Sequence, residues 1–159
     1  MSEEPQKCVI IVMSGTFDHA FAAFTIASTA AAMGMETTMF FTFWGMKAVQ
    51  KGNLTGKGLF GRMVGVMNRG GIDRIGPSKF NFGGIGRWMF KKMMKDKGVV
   101  ALPELRQTCI DLGVRFLICK TSLDVMEIEE DDLIPEAREI VGAATMLAEA
   151  QQSQMQYFI

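Results

Sequence analysis

The chain has 159 residues, of which 48% are hydrophobic and 21% charged. This length and composition are typical of one globular domain with a buried core, and they exclude an intrinsically disordered chain. The formal net charge is zero, so no nucleic-acid partner is expected. Charge is unevenly spread, however: residues 52–98 carry ten Lys or Arg against Asp73 and Asp96, a local excess of +8, and the remainder carries −8. Such asymmetry predicts a surface with a preferred partner or a second subunit.

The chain has three cysteines, Cys8, Cys109 and Cys119, and none lies in a C-x-x-C motif. An odd number of scattered thiols beside a single histidine predicts neither a disulfide framework nor a zinc site. The N-terminus is polar and acidic, which is not typical of a signal peptide, and the longest uncharged run, residues 19–35, is too short to span a bilayer. We therefore expect a cytoplasmic protein with reduced thiols.

The N-terminal third predicts a β–α–β unit. Residues 8–13 are a continuous apolar, β-branched run, residues 20–33 are a helix of small and apolar side chains that ends at Gly34, and residues 37–43 are a second apolar strand. Thr16 or Asp18 is the expected helix cap. The unit implies a parallel sheet with a right-handed crossover.

The middle of the chain, about residues 45–98, is basic and rich in Gly and Met, and contains 13 of the 17 glycines. We predict a short helix at 59–67, an irregular loop at 70–84 and an amphipathic helix at 85–97, with its lysines opposite its apolar face. The segment is interpreted as an insertion within a single domain that covers residues 1–159. It could form an oligomer interface, a cover over the site or a partner-binding element; contact with a membrane surface is an alternative that we do not favour.

Strands and helices alternate again in the last third. We predict helices at 102–112, from Thr121 or Ser122 to 126, and at 142–152, and strands at 114–119, 139–141 and 156–159. This order indicates a doubly wound α/β fold with about five parallel strands.

Ligands of such sheets bind beyond the carboxyl ends of the strands. Cys119 is the last residue of its predicted strand and precedes a helix, where free N–H groups, the helix dipole and Lys120 favour a thiolate. The same position would hold an anionic persulfide, although an inert, packed cysteine is the alternative. The residues expected to line this edge are Ser14, Gly15, Thr16, Asp18, His19, Phe43, Trp44, Lys120, Thr121, Ser122 and Gly142.

The other candidates have competing interpretations. Cys8 begins the first strand and is assigned to packing. Cys109 is expected about 16 Å from the level of Cys119, beyond disulfide reach. His19 could serve the thiol as a base or cap a helix. Residues 14–16 could cradle a phosphate, but they lack the spacing of a Walker A or Rossmann motif.

Several motifs resemble the DsrE/DsrF/DsrH-like family, in particular its branch with a Met-rich, basic insertion after the second strand. These motifs are VIIVMSGTFD at 9–18, AAAMGMETTMFFTFWG at 30–45, LGVRFLICKTSLDVM at 112–126 and VGAATML at 141–147. The resemblance implies a flavodoxin-like, three-layer α/β/α fold, homo-oligomeric assembly and a role in sulfur trafficking.

The resemblance also assigns residues. The family's strand-end cysteine, which receives sulfur as a persulfide or thiosulfonate and passes it to a TusA-like or rhodanese-like protein, matches Cys119. A second cysteine found in the preceding helix of some relatives matches Cys109. His19 departs from the family pattern, in which an apolar residue is expected.

The leading hypothesis is a sulfur carrier or sulfurtransferase that uses Cys119 and needs no metal or organic cofactor. One alternative is a module that binds a nucleotide or flavin while Cys119 only packs. The other is an oligomeric scaffold or membrane-peripheral protein that uses the basic segment.

Overall fold

The sheet has five strands, all parallel, in the order β4-β3-β2-β1-β5. The computed structural model describes residues 5–159. The strands are β1 (Lys7–Val12), β2 (Glu36–Phe41), β3 (Arg115–Cys119), β4 (Glu139–Val141) and β5 (Met155–Phe158). The helices are α1 (Phe17–Ala32), α2 (Leu59–Met67), α3 (Ile85–Asp96), α4 (Leu102–Asp111), α5 (Lys120–Val125) and α6 (Ala143–Gln151). The predicted fold class is confirmed.

Strands β1, β2 and β3 form the centre of the sheet because their side chains are apolar on both faces. On one face, α1 and α4 pack over a cluster of three aromatic rings, Phe24, Phe41 and Phe116, whose centroids lie 5.3–6.1 Å apart. Helix α6 lies on the other face, since a right-handed connection from β4 to β5 must cross there. Both faces are thus covered, which gives three layers.

Several element boundaries differ from the prediction by one to three residues, and two of these differences, at the carboxyl edge, concern the site. Strand β2 ends at Phe41 rather than at residue 43, because Phe43 has a left-handed backbone (φ +43°) and begins a 3₁₀ turn. Helix α5 begins directly at Lys120, so Cys119 itself occupies the N-cap position that the sequence assigned to Thr121 or Ser122.

The Gly- and Met-rich middle segment contributes to the core at two places. Met46 and Val49 follow β2, and Ile72 and Ile75 follow α2; all four side chains are buried in the main core. Helices α2 and α3, in contrast, carry exposed apolar side chains. None of the helices within residues 5–159 combines the length and apolar character that crossing a bilayer requires.

The loops after β1 and β2 approach each other closely because both contain glycine. A Cβ atom on Gly45 would overlap the carbonyl oxygen of Val12, and one on Gly15 would overlap the carbonyl oxygen of Trp44. The amide of Gly45 donates a 2.8 Å hydrogen bond to the carbonyl of Met13. This contact fixes the ends of two neighbouring strands relative to each other.

We predict that Gly45→Ala destabilises the protein by about 1–3 kcal/mol, because the added methyl group would force two backbone segments apart. Gly142→Ala is the matched control, since a Cβ at that position has no neighbour within 4 Å. Urea denaturation followed by circular dichroism measures both free energies of unfolding. An unchanged midpoint for Gly45→Ala would contradict the close approach of the two loops.

Candidate functional site

Cys119 lies where three structural features meet. It is the last residue of β3, it occupies the N-cap position of α5, and it pairs in the sheet with Val141 of β4. On the other side of β3, Ile118 pairs with Phe41, so Thr42 is the next residue beside Cys119. Cys119 is half-buried, whereas the other two cysteines are buried.

Two buried hydroxyl groups adjoin the sulfur. The oxygens of Thr42 and Ser122 lie 2.8 Å apart, and both side chains are buried. Each hydroxyl has a single proton, so one proton joins the two oxygens and the other remains for a second acceptor. Both hydroxyls lower the pKa of Cys119, as expected if that proton is donated to a thiolate sulfur.

These donors outweigh the effect of burial on the thiol. Burial by itself raises the pKa of Cys119, but the hydroxyl and amide of Ser122, the hydroxyl of Thr42 and the amide of Thr121 lower it, and the net pKa lies below the ordinary value of a thiol. The neutral side chain closes no capping hydrogen bond on α5. A hydrogen bond from these amides or hydroxyls to the sulfur is shorter and stronger when the sulfur is a charged thiolate.

The source of the stabilisation agrees with the sequence interpretation in its backbone amides and differs in the other contributions. Helix α5 has only six residues, so its macrodipole is small and the local amides and hydroxyls provide the favourable environment. Lys120 does not serve the thiol, because its ammonium group pairs with Asp124 one turn further along the helix.

The remaining two cysteines are inaccessible. Cys109 is fully buried between α4 and α1, where its thiol donates to the carbonyl of Phe24 at 3.3 Å. Burial raises the pKa of Cys109 to about 12. Cys8 is also fully buried, and burial raises its pKa. Of the three thiols, only that of Cys119 has both access and a lowered pKa.

The predicted residues after β1 form a separate cluster. The hydroxyl oxygens of Ser14 and Thr16 lie 3.0 Å apart, and that of Thr16 lies 2.6 Å from Nδ1 of His19. The carboxylate of Asp18 accepts hydrogen bonds from the amide and the hydroxyl of Ser78 at 2.8 and 2.7 Å.

This cluster does not adjoin the thiol. β1 is separated from β3 by β2, and neighbouring strands lie about 4.8 Å apart, so the end of β1 is roughly 10 Å from that of β3. His19 is engaged by Thr16 and lies 3.4 Å from a carboxylate oxygen of Asp18. The structure therefore does not bring His19 to Cys119 as a base. Thr16 occupies the N-cap position of α1, but no side-chain hydrogen bond caps the helix. The carboxylate of Asp18 binds Ser78 instead and so fixes the loop that contains this serine.

Other predicted residues lie at the same edge of the sheet. Phe43 and Trp44 follow Thr42 directly, and their side chains are 42% and 47% exposed. Gly142 follows β4, and the space beside it is open. The edge around the thiol is thus bordered by exposed aromatic groups and free space, which a second macromolecule could enter.

Thr42 was not selected among the lining residues from the sequence, although its segment was expected at this edge. The predicted strand runs to residue 43, so Thr42 is the second-last residue of that strand. A polar residue that ends an apolar run, with Ser122 shortly after the end of the neighbouring strand, is the signal that identifies the pair.

A cavity of about 560 Å³ lies away from this site, between α3, the start of α4 and Phe17. Cys119 does not line it. Within residues 5–159, no cluster of His, Cys, Asp and Glu has the composition to hold a metal ion.

The chain is thus a three-layer α/β/α protein with a five-stranded parallel sheet and a half-buried cysteine at a strand end. The profile of the DsrE/DsrF/DrsH-like family matches residues 4–158, and the chain belongs to this family. The family that the motifs indicated is thereby confirmed.

Two relatives match over almost their whole length. The chain is 37% identical to YrkE of Bacillus subtilis (strain 168) over an alignment of length 161 that covers 100% of both chains. It is 31% identical to the sulfur carrier protein DsrE2 of Allochromatium vinosum over 163 residues, which cover 98% of this chain and 99% of the relative.

The fold is also similar to the crystal structure of the ychN protein from E. coli, with a TM-score of 0.58. The match covers 97% of this chain and 100% of that chain at 12% identity, so it concerns the fold alone.

We predict that iodoacetamide alkylates Cys119 selectively in the folded protein, with a pH midpoint below the roughly 8.5 of an ordinary thiol. The double variant Thr42→Val/Ser122→Ala should slow alkylation at neutral pH about five-fold, which corresponds to roughly 1 kcal/mol of lost thiolate stabilisation. Each single variant should have a smaller effect, because the remaining hydroxyl can still donate to the sulfur. Peptide mass spectrometry after timed quenching measures the rates.

Thr37→Val is the matched control, since Thr37 is a buried threonine near the start of β2, at the opposite edge of the sheet from Thr42. Alkylation as fast in the double variant as in the wild type would show that the hydroxyl pair does not act on the sulfur.

Proposed function

We propose that this protein is a sulfur carrier that accepts sulfane sulfur on Cys119 and transfers it to a thiol of a partner protein. The observation that supports this most is the half-buried thiol at the carboxyl edge, whose pKa is lowered by the hydroxyls of Thr42 and Ser122 and by two backbone amides. The printed name of the Allochromatium vinosum relative, a sulfur carrier protein, supports the same role.

Loading requires only a thiolate and a donor with a sulfur–sulfur bond. The Cys119 thiolate attacks the terminal sulfur of a polysulfide, a new bond forms to Sγ, and the bond within the polysulfide breaks. Its electron pair leaves on the shortened polysulfide, so no external oxidant or reductant is needed. Tetrathionate reacts in the same way: the thiolate takes a thiosulfonate group, and thiosulfate leaves.

The donors around Sγ also suit the loaded state. A persulfide at neutral pH carries its negative charge on the outer sulfur, about 2 Å beyond Sγ. The amides of Thr121 and Ser122 and the hydroxyl pair stabilise negative charge on Sγ, and an outer sulfur within reach of the same donors is stabilised in the same way. The loaded sulfur then remains charged at the carboxyl edge of the sheet, which prepares it for transfer.

Unloading needs a second thiol, and none in this chain is available. Cys109 is buried against α1, and its high pKa keeps it protonated. The acceptor is therefore the cysteine of a partner, for which a TusA-like or rhodanese-like protein is the proposed class. Phe43 and Trp44 follow Thr42 at the same edge of the sheet and are exposed, and they are the proposed contact area for that partner.

The cellular setting follows from the same chemistry. Three free thiols in one chain, one of them reactive, are typical of a reducing compartment, so we place the carrier in the cytoplasm.

Family membership is the reason to propose that the carrier works as a homo-oligomer.

Incubation with polysulfide should add about 32 Da to the intact protein, and tetrathionate should add about 112 Da, because one sulfur atom or one thiosulfonate group is bound to Sγ. Dithiothreitol should remove both adducts. Cys119→Ser should show neither adduct. Cys109→Ser is the matched control and should be loaded like the wild type.

Peptide mapping locates the added sulfur. An adduct that persists in Cys119→Ser, or that disappears only in Cys109→Ser, would contradict the proposed carrier residue.

A further inference from the structure

Helix α2 presents its apolar face to solvent. Five of its residues repeat at helical spacing on one side, and all are at least half exposed: Leu59, Phe60, Met63, Val66 and Met67. Phe60 is 78% exposed and Met67 is 82% exposed. A helix of a globular domain normally buries such a stripe. Here the stripe faces outward.

Glycines occupy the side of α2 that packs on the domain. Gly61 and Gly65 are its buried residues. A Cβ on Gly61 would overlap the carboxylate of Glu127, and one on Gly65 would overlap the carbonyl of Thr55. Glu127 in turn accepts hydrogen bonds from the amides of Lys57 and Gly58, which precede the helix. The outward orientation is thus fixed by close packing and by a carboxylate.

Helix α3 repeats the pattern and adds positive charge. Ile85, Trp88 and Met93 are 67%, 66% and 54% exposed. The sequence pattern indicated lysines opposite the apolar face, but Lys92 and Lys95 follow Trp88 at spacings of four and seven residues and so share its side of the helix. Lys92 also forms an exposed ion pair with Asp96 at 3.1 Å, and an exposed pair of this kind leaves the ammonium group able to contact a headgroup. An exposed tryptophan beside lysines is typical of helices that lie in a membrane interface.

The exposed apolar side chains are concentrated in one part of the sequence. Within residues 5–159, 14 of the 23 exposed large hydrophobic residues lie between Leu54 and Val100. This stretch overlaps residues 52–98, which carry the excess of +8. Soluble monomers rarely expose large apolar patches, so the exposed apolar sides of α2 and α3 favour a binding role for these helices. The positive charge of residues 52–98 favours a negatively charged partner for this surface.

We infer that α2 and α3 dock the protein peripherally on an anionic lipid surface. Lysine and arginine are attracted to acidic headgroups, while the aromatic and methionine side chains enter the boundary between headgroups and acyl chains. A second copy that used the same face would bring two segments of +8 together, which is unfavourable. The inference is independent of the sulfur chemistry of Cys119.

Co-sedimentation of the full chain with lipid vesicles tests the inference. Binding is expected to vesicles of phosphatidylcholine mixed with phosphatidylglycerol and to be much weaker with phosphatidylcholine alone. It should fall as salt is raised, because the screening length shrinks from about 10 Å at 0.1 M to about 3 Å at 1 M. Lys92→Glu/Lys95→Glu should weaken binding about five-fold or more per cation.

Phe60→Ser/Met67→Ser should also reduce binding, while the thermal midpoint stays close to wild type, since both side chains are exposed. The matched controls are Leu147→Ser, a 57% exposed leucine on α6, and Arg138→Glu, an exposed cation outside the segment. Both controls should bind like the wild type.

Three results would overturn the inference: no sedimentation with acidic vesicles, equal sedimentation with neutral ones, or a weakening in the controls as large as in the variants. An oligomer mass that falls in Phe60→Ser/Met67→Ser, without vesicle binding by the wild type, would assign the face to contact between copies instead.

Discussion

The hydrogen bond between the hydroxyls of Thr42 and Ser122 is the contact on which the rest of the site depends. Both groups are buried, so each must find a partner or cost about 1–3 kcal/mol in lost solvation. They satisfy each other and retain one proton. Both hydroxyls also lower the pKa of the Cys119 thiol. A structural requirement, the pairing of buried polar groups, thereby produces a chemical consequence, a more acidic thiol.

The fold creates this contact through the alignment of parallel strands. β2 and β3 are in register, so the residues that follow their last paired positions meet at one edge. The ring of Phe41, at the end of β2, packs against the rings of Phe24 and Phe116. Phe43 then takes a left-handed backbone, which costs about 1–2 kcal/mol for a residue with a side chain. Strain of this kind beside a reactive group is typical of functional sites.

The sequence predicted the sheet well because its signals were local. Apolar, β-branched runs identify β1 and β3, and Gly34 ends α1 with a positive φ of 84°. The sequence predicted the site less well because the site depends on pairings between distant segments. Thr42 and Ser122 are 80 positions apart, and only strand order brings them together.

Strand order also explains why His19 lies away from the thiol: β2 separates its strand from β3. The sequence likewise does not predict that the apolar side of α2 faces solvent. Its apolar stripe resembles that of a buried helix, and only packing shows that Gly61 and Gly65 face inward.

The most direct test of the carrier account is a crystal structure of the protein after treatment with polysulfide. The account predicts extra density for one sulfur atom beyond Sγ of Cys119, within hydrogen-bonding distance of the amides of Thr121 and Ser122 or of the hydroxyl pair. Density on Cys109, or a modified Cys119 whose outer sulfur points away from all of these donors, would contradict it.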